Sequence, residues 1–183
     1  MKYRIESKSR EINGFTLIEL VIVVLVIFIL AALAIPIYRD WTSRAQNGAA
    51  LADIGHLCVA EAAFLGDFEH YGRTNDINSV AVHGNGIIVV GPSTTGGISG
   101  PSGFSPIGLS LGVHLVAHTN APEGSHFSAM AKHISGTRIF GVDNSYSGFY
   151  QRRGPRGQAL AATGIILAVT AANDFDGNGW ENL

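Results

Sequence analysis

Glu19 is the residue in this chain whose position most demands chemistry. It stands directly before residues 20–37, eighteen consecutive positions without a charged or hydrogen-bonding side chain. An ionised carboxylate carried to the centre of a bilayer costs about 2.5–3.5 kcal/mol. A Glu held beside such a segment therefore calls for a cationic partner docking alongside. The other pointed stretch is Asp174-Phe175-Asp176-Gly177-Asn178-Gly179-Trp180-Glu181. Oxygen donors at alternate positions, with glycines for a tight turn, match the first half of a calcium loop at Asp174, Asp176 and Asn178. The bidentate Glu that completes such a loop has no counterpart before Leu183. An Asx-rich turn is the competing reading.

The remaining reactive types offer less. Seven histidines (56, 70, 83, 114, 118, 126 and 133) form no compact ligand motif. His114 and His118 have helical i,i+4 spacing, but their surroundings read as strand. Cys58 is the one cysteine. It excludes an intrachain disulfide and fits a helix packing stripe better than a nucleophile's site. No G-x-S-x-G elbow or Cys–His signature accompanies the Ser, His and Asp residues, so catalysis has no support. Arg152-Arg153-Gly154-Pro155-Arg156 reads as a small basic turn, solvated against an otherwise acidic chain.

The elements that must position these residues follow from periodicity. At 1.5 Å per residue, residues 20–37 are long enough to cross about 30 Å of hydrocarbon as a helix. Pro36 removes one helical hydrogen bond near the end of that stretch and marks a bend. Residues 38–66 continue the helix. Trp41, Ala45, Gly48, Ala52, Gly55, Val59, Ala62 and Gly66 recur at four-three spacing, which puts them on one face. Leu51, Ile54, Cys58 and Leu65 form an adjacent larger stripe. One reading packs one stripe on a sheet and turns the other toward neighbouring helices. The alternative buries both stripes within the chain.

Beyond the helix, residues 67–125 read as loop except for strands at 87–90 and 111–117, with a Gly/Ser/Pro-rich segment at 91–108. Residues 126–132 and 137–142 flank Ser135-Gly136 and predict a β-hairpin. Residues 147–151 and 160–171 are further strand candidates. The fold class is α+β: a long N-terminal helix on an antiparallel sheet of about four strands. The organisation is a polar, charged stretch at 1–14, a transmembrane half-helix at 15–38, an amphipathic half-helix at 39–66, and a globular region at 67–183.

Residues 1–14 carry Lys2, Arg4, Lys8 and Arg10 against Glu6 and Glu11, which keeps that end cytoplasmic. An ordinary signal peptide cut near Ala32-Leu33-Ala34 is the rival, but the apolar stretch is too long and Glu19 has no place in one. Without residues 1–14, eight Lys/Arg face twelve Asp/Glu, a formal charge of −4. Bulk electrostatics therefore does not recruit nucleic acid.

Gly14-Phe15-Thr16-Leu17-Ile18-Glu19 followed by this apolar span resembles the N-terminus of type IV pilins and of the related pseudopilins of type II secretion. The resemblance covers about the first fifth of the chain. It implies cleavage after Gly14 by a prepilin peptidase, N-methylation of Phe15, an assembly role for Glu19 and a helix bend at Pro36. The new cationic amine at Phe15 would meet Glu19, in the same chain or a neighbour. The implied partners are identical or homologous pilin subunits, the peptidase, an inner-membrane assembly platform and membrane lipid. The implied location is the bacterial inner membrane, then the cell surface. The alternatives are a pseudopilin or minor pilin and, from another class, a membrane-anchored enzyme or binding protein. The run from Phe127 to Asp143 is similar to the strand pair of pilins that lack a disulfide. Some members bind Ca²⁺ near the C-terminus, where a metal could replace the disulfide as a fastener.

Overall fold

A computed structural model of the chain describes residues 14–72, 87–90, 105–120, 124–160, 163, 173–175, 177 and 179–183. The fold class is α+β, with one long helix and an antiparallel sheet of five strands. Helix α1 (Leu17–Phe68) is 52 residues long and runs uninterrupted through Pro36. The chain divides into two compact units, residues 1–40 and 41–183, and α1 contributes to both.

In the first unit the helix buries nothing within the chain. Its apolar stretch is long enough to cross a membrane, and none of that stretch is covered. Apolar residues on all sides leave no polar face, as expected of a helix whose environment is lipid or other helices.

In the second unit α1 ends at Phe68. Glu69 takes a left-handed conformation (φ 62°), and its N–H donates to the Leu65 carbonyl at 2.9 Å. That single bond closes the helix terminus. A short hairpin pairs β1 (Ile87–Val90) with β2 (Ser105–Gly108). The main sheet is β3 (Val113–Thr119), β4 (Phe127–His133), β5 (Arg138–Asp143), β6 (Tyr146–Arg153) and β7 (Glu181–Asn182), each antiparallel to the next. β4 and β5 form the hairpin expected around Ser135-Gly136, with Ala131 paired to Phe140. β2 occupies the end of the Gly/Ser/Pro-rich segment, and Pro106 there hides the strand pattern from a sequence reading. Of the strand candidate at 160–171, only Leu160 and Thr163 are among the described residues.

Alternation along the strands gives the sheet two apolar faces. Val113, Leu115, Ala117, Ala129, Ala131, Phe140 and Val142 pack with Ala50, Ile54, Leu57 and Phe64 of α1. On the opposite face Val116, Met130, Ile139 and Tyr150 pack with Leu160 and Phe175. The helix therefore covers one face, and the C-terminal segment helps cover the other.

Candidate assembly interface

The two units present different surfaces of one helix. At its N-terminus, Thr16 and Glu19 form a reciprocal cap. The Thr16 N–H and hydroxyl donate to Glu19 Oε2 at 2.9 and 2.7 Å, and the Glu19 N–H donates to the Thr16 hydroxyl at 3.3 Å. This capping box satisfies orphan donors of the first turn and gives the carboxylate partners within its own chain. Gly14 and Phe15 are exposed beside it. Pro36 lies inside α1 and withholds the N–H that the Ala32 carbonyl would otherwise accept.

In the second unit the outer face of α1 carries a stripe made mostly of small residues. Ala45, Gly48, Ala52, Ala62 and Gly66 are exposed, as are Trp41 and Val59, and Gly55 is half-buried. A Cβ added at Gly48, Gly55 or Gly66 would meet nothing within 4 Å. The reading that buries both stripes within the chain is thereby excluded. The larger stripe does turn inward: Ile54 is fully buried, and Leu51, Cys58 and Leu65 are half-buried. Burial, with help from the nearby Glu61 carboxylate, pushes the Cys58 thiol up to about 11, which keeps it protonated and inert.

Three polar side chains of the inner face anchor α1 to loops of the same unit. Asn47 Oδ1 accepts from the Thr137 and Arg138 N–H groups at 3.0 and 3.2 Å, and its amide donates to the Thr137 hydroxyl at 3.1 Å. Asp53, 2 % exposed, accepts from the Ser110 N–H at 2.7 Å and the Ser110 hydroxyl at 3.0 Å. Glu61, wholly buried, accepts from the Gly72 N–H at 2.8 Å, while its Oε1 has no partner. Burial pushes the Glu61 carboxyl up to about 7, against the lowering effect of that N–H. At Gly136 a Cβ would lie 2.6 Å from Asn47 Oδ1, so only glycine lets the turn approach the helix this closely. Sequence periodicity missed these anchors because Asp and Glu in a helix are read as solvent-facing. The available signal is that Asp53 and Glu61 fall on the same side of the helix as Ala50, Ile54, Leu57 and Phe64, with Asn47 at its edge.

The C-terminal segment is fastened without a disulfide. Phe175, 3 % exposed, stacks on Tyr150 with ring centroids 5.5 Å apart and meets the edge of Trp180 at 4.8 Å. It occupies the space a Cβ at Gly141 would need, 2.5 Å from Phe175 Cε1. The Asp174 N–H donates to Asp143 Oδ2 at 2.9 Å, and the Ser128 hydroxyl donates to Asp174 Oδ2. Asp176 and Asn178, the other two candidate calcium ligands, lie outside the described residues. Among the described residues no group of three or more His, Cys, Asp and Glu side chains is placed to hold a metal. His114 and His118 lie in β3, as their surroundings suggest. His114 pairs in register with buried Lys132, and burial and that cation both lower its pKa.

Comparison with known proteins points to one class. The chain is 55% identical over 54 residues to a fimbrial protein of Pseudomonas aeruginosa, covering 29% of this chain and 35% of the relative. It is 34% identical over 103 residues to fimbrial protein Q of Moraxella bovis, covering 55% and 60%. It is 56% identical over 51 residues to the type IV major fimbrial protein FimA of Dichelobacter nodosus, covering 27% and 32%. The match thus spans between about a third and three fifths of these relatives' own lengths. No family model matches the chain. No solved structure matches it.

Proposed function

We propose that this chain is a structural subunit of a type IV pilus, made as a membrane-anchored precursor and polymerised through the N-terminal half of α1. The observation that carries the reading is an apolar helix with no cover inside its own chain, in a protein whose relatives are named fimbrial proteins. Lipid covers such a surface before assembly, and the corresponding helices of neighbouring subunits cover it afterwards.

In this reading a prepilin peptidase cuts after Gly14, and Phe15 becomes an N-methylated, cationic terminus. Glu19 then exchanges its contact with Thr16 for one with that amine, in its own chain or in a neighbour. A desolvated carboxylate is tolerated only when paired. The pairing therefore sets the axial register of the fibre rather than adding much stability. The inner-membrane assembly platform is the partner that would extract the subunit. The relatives supply no enzyme name, and the function needs no reaction by the mature chain.

Intact-mass and N-terminal analysis of membrane and sheared-surface fractions tests this. A chain beginning at N-methylated Phe15 and abundant in the sheared fraction is the expected result. Correct processing with the protein confined to the envelope would indicate a pseudopilin or minor pilin instead. A chain beginning at Ile35 would overturn the reading altogether.

A further inference from the structure

The basic run at Arg152–Arg156 does two separate things in the folded chain. Arg156 donates from Nε to the Ser135 carbonyl at 3.0 Å and from its guanidinium to the Ser43 hydroxyl. Arg152 and Arg153 instead end strand β6. With Arg138, Gln151, Gly179 and Glu181 they line a cleft of about 420 Å³.

Strand register explains how the charges gather. Arg138 stands directly across from Arg153, and Gln151 directly across from Glu181. Residues two apart on a strand share a face, so all four project to one side. Arg138 donates to Gln151. β7 pairs only with Tyr150 and Gln151, so among the described residues Arg152 and Arg153 continue past it without a strand partner on that side. Gly179 lies beside this edge, where a Cβ would stand 3.9 Å from Arg152 Nε, an ordinary contact.

This arrangement works against the fold. Like charges directly opposite in an antiparallel pair are destabilising. Among the described residues Glu181 is the one carboxylate lining the cleft, against three guanidiniums. The chain as a whole carries a formal charge of −2, so the positive charge is local. A locally unfavourable arrangement is most often retained at a functional site. Guanidinium forks match the oxygens of phosphate and sulfate in pairs. The volume suits such a group on a small polar body.

We propose that the cleft between β6 and the β7 edge binds a phosphate or sulfate group carried on a small ligand, held by Arg138 and Arg153, which share a face, with Arg152 at the rim. This stands independently of the fibre reading.

The test is calorimetric titration of the full chain in nonionic detergent micelles with inorganic phosphate, inorganic sulfate and acetate. Saturable binding of phosphate or sulfate is expected, with acetate roughly tenfold weaker or more. Saturation by one oxyanion and not the other upholds the site and identifies its group. Arg138→Gln and Arg153→Gln should each weaken binding about tenfold or more. Arg44→Gln, which changes an exposed arginine of α1 away from the cleft, should not. Arg138 and Arg153 are both exposed, so their variants should keep the wild-type unfolding midpoint or exceed it as repulsion is relieved. Absence of saturable phosphate and sulfate binding would overturn the proposal. So would equal weakening by Arg44→Gln, which would mark diffuse charge, or acetate binding as tightly as the two dianions.

Discussion

The two halves of α1 share a secondary structure and differ in what solvates them. From Leu20 to Ile35 the large apolar side chains are exposed within the chain. From Trp41 onward the helix has an inner face with Ile54 and Leu57 fully buried and an outer face of small residues. Hydrophobicity alone does not distinguish them by fate. The more apolar half is the one its own chain leaves uncovered. Burial inside a chain requires a complementary face, and the sheet offers one only to the second half. The first half must find its complement in another phase or another molecule.

One substitution made in both halves probes that contrast most strongly. Ile54→Ala removes a fully buried side chain and should cost about 2–5 kcal/mol of unfolding free energy. Ile27→Ala removes a side chain that is 58% exposed and should leave the unfolding of residues 41–183 in detergent unchanged within about 0.5 kcal/mol. Urea unfolding followed by Trp fluorescence would compare them. Equal losses would mean that the uncovered half is in fact held by the chain.

A second test concerns the anchors that mark the inner face. The folded pKa of Glu61, about 7, lies above the ordinary value of 4.5. The folded state therefore holds the extra proton, and the contribution of Glu61 to stability is greatest below pH 4.5. It declines as pH rises toward 7 and levels off above it. The span corresponds to about 3 kcal/mol. Glu61→Gln should abolish the decline, matching wild type at acid pH and exceeding it at pH 8. A wild type whose unfolding free energy rises from pH 5 to pH 8, with no change in slope on substitution, would contradict the burial described for Glu61.

Asn47 should give a smaller effect. Its loss leaves the Thr137 and Arg138 N–H groups without their acceptor, at a cost of about 1–3 kcal/mol with little pH dependence. The same measurement at two pH values separates Asn47→Ala from the Glu61 variant. A pH-dependent loss at Asn47 would show the anchors to be coupled rather than independent.

The chain declared some of this and concealed the rest, for physical reasons. The long helix, its two stripes and the β4–β5 hairpin were legible because each repeats a geometric period several times. The partition of the stripes was not, because spacing says which residues share a face but not which face meets the sheet. β7 escaped because two residues, Glu181 and Asn182, carry no period. The fastening of the C-terminus was readable only as a question. The lone cysteine ruled out a disulfide, while the answer depends on Phe175 reaching Gly141, a contact between distant positions. Asp53, Glu61 and Lys132 were missed because charged residues are rarely buried. Here each has hydrogen-bond partners on the backbone, with Lys132 donating to the carbonyls of His133, Ile134 and Gln158. Arg138 and Arg153, 15 positions apart in sequence, meet only through strand register.

The smallest expected effect bears most directly on what the outer face of α1 is for. Gly48 and Gly55 have open space where a Cβ would stand. Their cost to the isolated subunit is then the glycine penalty in a helix interior, so Gly48→Ala and Gly55→Ala should each stabilise it by about 0.5–1 kcal/mol. A sequence that keeps two destabilising glycines on an exposed stripe gains nothing from them within the subunit. If the stripe lets neighbouring helices approach closely in a fibre, the same variants should assemble less well while unfolding at higher temperature. Yield in the sheared fraction, measured beside the unfolding midpoint of detergent-solubilised subunit, separates the two effects. Opposite changes in the two quantities would assign the stripe to assembly. A rise in midpoint with undiminished fibre yield would leave the glycines without an assembly role and place the fibre contacts wholly in the uncovered half of the helix.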